Sequence, residues 1–238
     1  TGSIRRDGSL EAVQAFCQHK GVGYHHTTRQ EGPHVHCTQL SEDGRRLYVS
    51  DLGLDQVFCY EVGKDASLRL GEEKAQIRLV KGEGPRHFVF RNQGKFLYLT
   101  AELGSKVFVY ETRDEGRSYQ EIQAVSTLPE GYTKENTAAD LHFSHDGRFL
   151  YASNRGMDSL VLYEADKTSG RLDIKGYYEA YGQCPRNFCI TPDDKYLLIA
   201  NQVSGNIVLC RRDKETGALC GKADEMSAGA VSFVTAVE

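Results

Sequence analysis

With 238 residues the chain is long enough for one large core or two small ones, and 26% charged against 39% hydrophobic residues is an ordinary globular balance. The net charge of −4 is small and of the wrong sign for a general nucleic-acid binder. No apolar run approaches the roughly 18 residues of a membrane-spanning helix, and no secretory leader is visible ahead of residue 20.

In chain order, the first distinctive segment is the loop "KGVGYHHTTRQEG" (residues 20–32). Its glycines are no phosphate cradle, because no helix follows, and His25 and His26 read as solvated. Then comes "HVHCTQLSEDGRRLYVSDLGLDQVFCYE" (34–61), whose pattern returns three times. The copies are "GPRHFVFRNQGKFLYLTAELGSKVFV" (84–109), "AADLHFSHDGRFLYASNRGMDSLVLYE" (138–164) and "CPRNFCITPDDKYLLIANQVSGNIVL" (184–209). The turn positions Gly44, Gly94, Gly147 and Asp194 are spaced by 50, 53 and 47 residues. A period of about 40–50 residues with several strands per copy predicts propeller blades.

Four strands are predicted in each copy. In the second they fall at about 87–91, 96–100, 106–111 and 118–126. Phe88, Phe90, Phe96, Tyr98, Val107 and Val109 alternate along them with period two. Asp43-Gly44, Asn92-Gln93-Gly94 and Asp146-Gly147 are hairpin signals between the first two strands. In an up-and-down meander, the second-to-third turns and the blade-to-blade crossovers share one face. That face collects His34, His36, Arg86, His87, Asp140, His142 and Arg186 from crossovers, and Asp51, Glu102, Asn154, Arg155 and Asn201 from turns. The opposite face carries generic turn residues.

Each residue has a plainer explanation. A single Arg at a strand start is commonly a surface ion pair, yet Arg86, Arg155 and Arg186 converge on one mouth, and guanidinium forks suit carboxylate or phosphate. Glu102 can be their counter-ion. His34-Val35-His36 puts two imidazoles on one side of a strand but lacks a third metal ligand. His142 reads as a satisfied histidine on an apolar strand. The seven cysteines show no CxxC spacing and are expected to be buried, reduced thiols in a cytoplasmic protein.

Taken together, "RQEGPHVH", "GEGPRHFVF", "TAELGSKVFVYE", "AADLHFSHDGRFLYASNR" and "PRNFCITPDDKYLLIANQ" closely resemble the propeller lactonases, the bacterial 6-phosphogluconolactonases of that type. The resemblance covers nearly the whole chain. It implies an all-β propeller of four-stranded blades, seven in the family, of which about five blades' worth is expected here. Residues 1–238 would be one propeller domain short of about two blades, with "TGSIRRDGSLEAV" as the remnant of an early blade and Val231–Val237 as the innermost strand of the last. The implied activity is cofactor-free hydrolysis of 6-phosphogluconolactone. The implied catalytic set is His34, His36, Arg86, Glu102 and Arg155, with His87, Asp140, His142 and Arg186 binding substrate and no metal. The partner is a small phosphorylated sugar lactone, without nucleic acid or membrane; oligomeric state is left open. The base is Glu102 or one of His34 and His36, the oxyanion donor Arg86 or Arg155, and a remaining Arg holds the phosphate, with base and anchor left unassigned; Arg86→Ala is expected to abolish activity while sparing the fold. Two other readings stand beside it: a cyclase that uses the same arginines on a carboxylated muconate, and a non-catalytic binding propeller, which predicts an apolar or mixed face without convergent titratable groups.

Overall fold

The computed structural model describes residues 2–13, 16–24, 28–65, 67–72, 76–114 and 116–237. They form four antiparallel meanders in chain order. The first blade is β1 (Val35–Leu40), β2 (Arg46–Asp51), β3 (Gln56–Val62), and an outer strand split into β4 (Leu68–Leu70) and β5 (Ile77–Arg78), both paired with β3. The second is β6 (Pro85–Arg91), β7 (Phe96–Ala101), β8 (Lys106–Arg113) and β9 (Ser118–Ser126). The third is β10 (Thr137–Phe143), β11 (Phe149–Arg155), β12 (Ser159–Ala165) and β13 (Leu172–Glu179). The fourth is β14 (Pro185–Ile190), β15 (Tyr196–Asn201), β16 (Asn206–Arg212) and β17 (Leu219–Ser227).

Blade position sets burial. β7 is covered on both faces and every residue of "FLYLTA" is buried, whereas the outer strand β9 keeps exposed polar residues along its length. The period-two alternation then divides each blade between two neighbours. Leu97, Leu99, Phe108 and Tyr110 face the first blade and pack with Tyr48, Val57 and Cys59. Phe96, Tyr98, Val107 and Val109 face the third and pack with Leu141, Leu150, Val161 and Tyr163. Phe149, Tyr151, Leu160 and Leu162 meet Phe188, Leu197, Ile199 and Val208 of the fourth. Each such side chain contributes about 1.5–3 kcal/mol when taken out of water, so blade-to-blade packing is the main source of stability.

A hydrogen bond clamps the rim of these interfaces. Tyr98 donates to the carbonyl of Gly170 (2.9 Å), and Tyr151 to that of Gly217 (2.5 Å). Both glycines lie in the third-to-fourth-strand turn of the next blade, at φ +73° and +74°. A Cβ on Gly217 would stand 2.7 Å from the Phe149 ring, so both backbone and space require glycine.

Every inner strand carries an irregularity at the same place. Between Val35 and Cys37, Pro85 and Phe88, Ala138 and Leu141, and Pro185 and Asn187, the inner strand advances one residue more than its partner. These are β-bulges, which twist the strand and re-aim side chains. Arg86 and His87, expected in a crossover, therefore lie inside β6, as His36 does in β1, Asp140 and His142 in β10, and Arg186 in β14.

The chain ends depart from expectation in one respect. Ile4 and Leu10 form a single antiparallel bridge, as a remnant hairpin would. Val231–Val237, however, joins no ladder among the described residues; the Val234 amide instead donates to the Asn187 side chain beside β14 (2.7 Å). The cysteines also differ: Cys59 and Cys210 are buried, Cys37, Cys184 and Cys189 half-buried, and Cys17 and Cys220 exposed, all seven free.

Gly217→Ala is expected to cost about 2–4 kcal/mol, combining a left-handed backbone penalty with overpacking. Gly94→Ala, at φ +80° with open space around its Cβ, should cost only the backbone part. Urea denaturation of both variants checks this; equal losses would show that the contact with Phe149 contributes nothing.

Candidate active site

Two buried carboxylates organise the mouth of the propeller. Glu102, one residue past β7, is 2% exposed. Its Oε2 accepts from Arg86 Nε (2.8 Å) and forms an ion pair with Arg155 Nη2 (2.9 Å), which itself donates to the Ala138 carbonyl (3.2 Å), and its Oε1 accepts from Arg29 Nη2. Burial alone would raise its pKa, but Arg155, Arg86 and Arg29 outweigh that and hold it below the ordinary carboxylate value. Glu102 is thus ionised and has its lone pairs occupied.

Arg86 is equally buried and lies within reach of many partners. Besides Glu102, its Nη1 donates to the Ala139 carbonyl (2.9 Å) and to His87 Nε2 (3.0 Å). Burial, then Arg155, pulls its pKa down to about 10, so it stays charged at neutral pH. A guanidinium has no acceptor, so His87 Nε2 must carry the lone pair. The ring proton therefore sits on Nδ1, which donates to Asp140 Oδ1 (2.6 Å). His87 is thereby fixed in orientation between Arg86 and Asp140.

Asp140 is the second carboxylate. Its Oδ1 also accepts from the Leu141 amide (3.0 Å), and its Oδ2 from His142 Nε2 (2.9 Å), Asn187 Nδ2 (2.5 Å) and the Phe188 amide (3.3 Å). Burial opposes ionisation, but His142 and His87 drive its pKa far below the usual range. Reciprocally, burial would lower the His142 pKa, and Asp140 raises it. Asp140 thus ties β6, β10 and β14 together around the axis.

The remaining expected residues differ among themselves. His36 is half-buried, and its side chain makes no hydrogen bond among the described residues. Burial, then Arg86, with Arg29 and His87 also nearby, outweighs Glu102 and lowers its pKa to about 4, so at neutral pH the imidazole is neutral with one ring-nitrogen lone pair free. Arg186 is half-exposed, forms no ion pair among the described residues, and lies within electrostatic reach of Arg86. His34 is not joined to either carboxylate: its amide donates to Asp51 (2.8 Å) and its Nε2 contacts Glu31 (3.2 Å). The bulge at His36 breaks the two-residue alternation that would have put both imidazoles on one side.

Two participants carried no role in the sequence reading. Arg29 comes from the long loop before β1, inside "RQEGPHVH", where no periodicity points its side chain anywhere. His19 bridges Asp51 Oδ2 (2.5 Å) and the Tyr60 hydroxyl (2.8 Å), pinning the N-terminal segment to the first blade. His25 and His26 lie outside the described residues.

The burial of Arg86 changes what its removal should do. Glu102→Ala leaves the buried Arg86 without its ion pair and is expected to lower stability by about 3–5 kcal/mol, while Arg86→Ala, which leaves Glu102 paired with Arg155 and Arg29, should cost less. Chemical denaturation measures it; a midpoint like that of the unaltered protein would contradict the cluster.

A family model described as "Lactonase, 7-bladed beta-propeller" matches residues 1–236. The chain is 35% identical over 216 residues to a 6-phosphogluconolactonase of Bacillus subtilis and 38% identical over 220 residues to one of Formosa agariphila. Both alignments cover 91% of this chain, but only 60% and 61% of the relatives, so the chain spans about three fifths of their length. Among solved structures, a periplasmic gluconolactonase of Pseudomonas aeruginosa superposes with a TM-score of 0.89 at 33% identity, covering 95% of this chain and 62% of that one.

Proposed function

The chain belongs to the seven-bladed β-propeller lactonases, and from that membership we propose that the whole protein hydrolyses 6-phosphogluconolactone to 6-phosphogluconate. That is the lactone-opening step of the pentose phosphate pathway, and it gives the cytoplasm as the proposed compartment, in keeping with seven free thiols. The four blades are then part of a seven-bladed ring, with the other blades against the outer faces of the first and fourth.

One observation carries the reading. Arg29, Arg86, Arg155 and Arg186 face two carboxylates, Glu102 and Asp140, leaving two positive charges in excess beside a neutral, unbonded His36. A phosphorylated lactone supplies two negative charges and needs a base for water. His36 fills that role. It takes a proton as the water oxygen bonds to the lactone carbonyl carbon, and the carbonyl oxygen becomes an oxyanion beside the guanidinium groups. Collapse breaks the bond from that carbon to the ring oxygen, which takes the proton back from His36. The base contributes about 10²–10⁴-fold, and an oxyanion donor about 3 kcal/mol. Glu102, saturated by three guanidinium groups, is a poorer base; it holds the donors in place. His87, with its lone pair on Arg86, serves the same positioning role.

The test is kcat/KM for 6-phosphogluconolactone across pH in the full-length protein. A base with a pKa of about 4 gives an acid limb near pH 4 and a plateau above it. His36→Gln is expected to lower the plateau about 10²–10⁴-fold and to remove that limb. An acid limb near pH 6.5 that survives in His36→Gln would assign the base to another residue. No hydrolysis of phosphorylated or plain gluconolactone would overturn the lactonase reading itself.

A further inference from the structure

The three arginines on Glu102 are not equivalent. Arg86 and Arg155 share Oε2 and are 3% and 11% exposed, while Arg29 has Oε1 to itself and is 39% exposed. The Arg29 Nε is buried with no hydrogen-bond partner among the described residues. Arg155 Nε shares that lack, so what sets Arg29 apart is that it is the arginine solvent meets and the one Glu102 can release while two guanidinium groups still neutralise it.

Its backbone, by contrast, is firmly anchored. Gln30, next in sequence, is 2% exposed and donates to the Leu52 carbonyl (2.9 Å), while the Gln30 carbonyl accepts from the Gly23 amide (2.8 Å). The loop lies against the turn Leu52–Leu54 so closely that a Cβ on Gly23 would stand 2.2 Å from the Gly53 carbonyl, and one on Gly53 1.8 Å from that of Gly32. An arginine kept only to balance a carboxylate at the surface needs no such clamp. A half-exposed guanidinium on a fixed base is what a ligand-binding side chain needs, because its reach is set while its terminal group is free to turn.

We propose that Arg29 is a specificity-determining residue that leaves Glu102 Oε1 to bind the phosphate group of the substrate. The proposal rests on the lactonase reading for the identity of the substrate, but not for the anion binding. On release, the Arg29 fork pairs with phosphate oxygens in the bidentate geometry that guanidinium favours. Glu102 Oε1 then becomes free to accept from a sugar hydroxyl. Arg186, half-exposed and within electrostatic reach of Arg86, completes the anion subsite.

The experiment compares the full-length protein with Arg29→Ala and Arg29→Lys on phosphorylated and unphosphorylated gluconolactone, and titrates each with inorganic phosphate by calorimetry. Arg29→Ala is expected to lower the preference for the phosphorylated lactone at least about tenfold, mainly through KM, and to weaken phosphate binding by a similar factor, the loss of one charge-assisted pair. Arg29→Lys should recover part of both, and melting temperatures should stay close together. Equal losses on the two lactones, a fall in kcat alone, or phosphate binding indifferent to Arg29 would overturn the proposal. A protein inactive on both lactones whose phosphate binding still depends on Arg29 would sink the lactonase reading and leave this assignment standing.

Discussion

The cleft depends on one electrostatic constraint: several guanidinium groups must stand together on the propeller axis, largely out of water. Like charges a few ångströms apart repel by several kcal/mol at the effective dielectric of a partly buried site. Glu102 resolves this by pairing with three arginines, through hydrogen bonds from Arg86 of β6 and Arg29 of the loop before β1 and an ion pair with Arg155 at the end of β11. The carboxylate is therefore less a reagent than a keystone. With it, the arginines hold a fixed arrangement and a residual positive field. Without it, Arg86 would be a buried cation with no ion pair, beside Arg155 and Arg186.

The fold makes this arrangement possible through the recurring bulge. A regular inner strand sends alternate side chains to its two neighbouring blades and leaves few to point along the axis. The extra residue in each of β1, β6, β10 and β14 breaks that alternation at the cleft end. As a result the consecutive residues Arg86 and His87 reach Glu102 and Asp140 respectively. The same device in four blades places a different residue each time, His36, Arg86-His87, Ala139-Asp140 and Arg186, so one scaffold position supplies imidazole, guanidinium and carboxylate.

Much of this was legible in the sequence, for identifiable reasons. The blades announce themselves because strands such as "FLYLTA" and "VFVY" obey period two and hairpin turns carry glycine. The clustering of Arg86, Glu102 and Arg155 follows from strand direction alone. What could not be read was where alternation fails. A regular strand would pair His34 with His36 on one side, and the bulge separates them. Arg29 lay in a loop with no period, and its position depends on the burial of Gln30 and the close approach of Gly23 and Gly53. Val231–Val237 has the composition of a strand but no backbone partner among the described residues, and pairing, not propensity, makes a strand.

A crystal structure of the full-length protein with bound 6-phosphogluconate addresses the central claim most directly. The account predicts the product on the axis at the Glu102 face, its new carboxylate within hydrogen-bond reach of His36 and Arg155, and its phosphate on Arg186 and a reoriented Arg29. Product bound instead on the opposite face, among the hairpin turns around Asn92 and Gly94, with the Glu102 cluster unaltered, would contradict it.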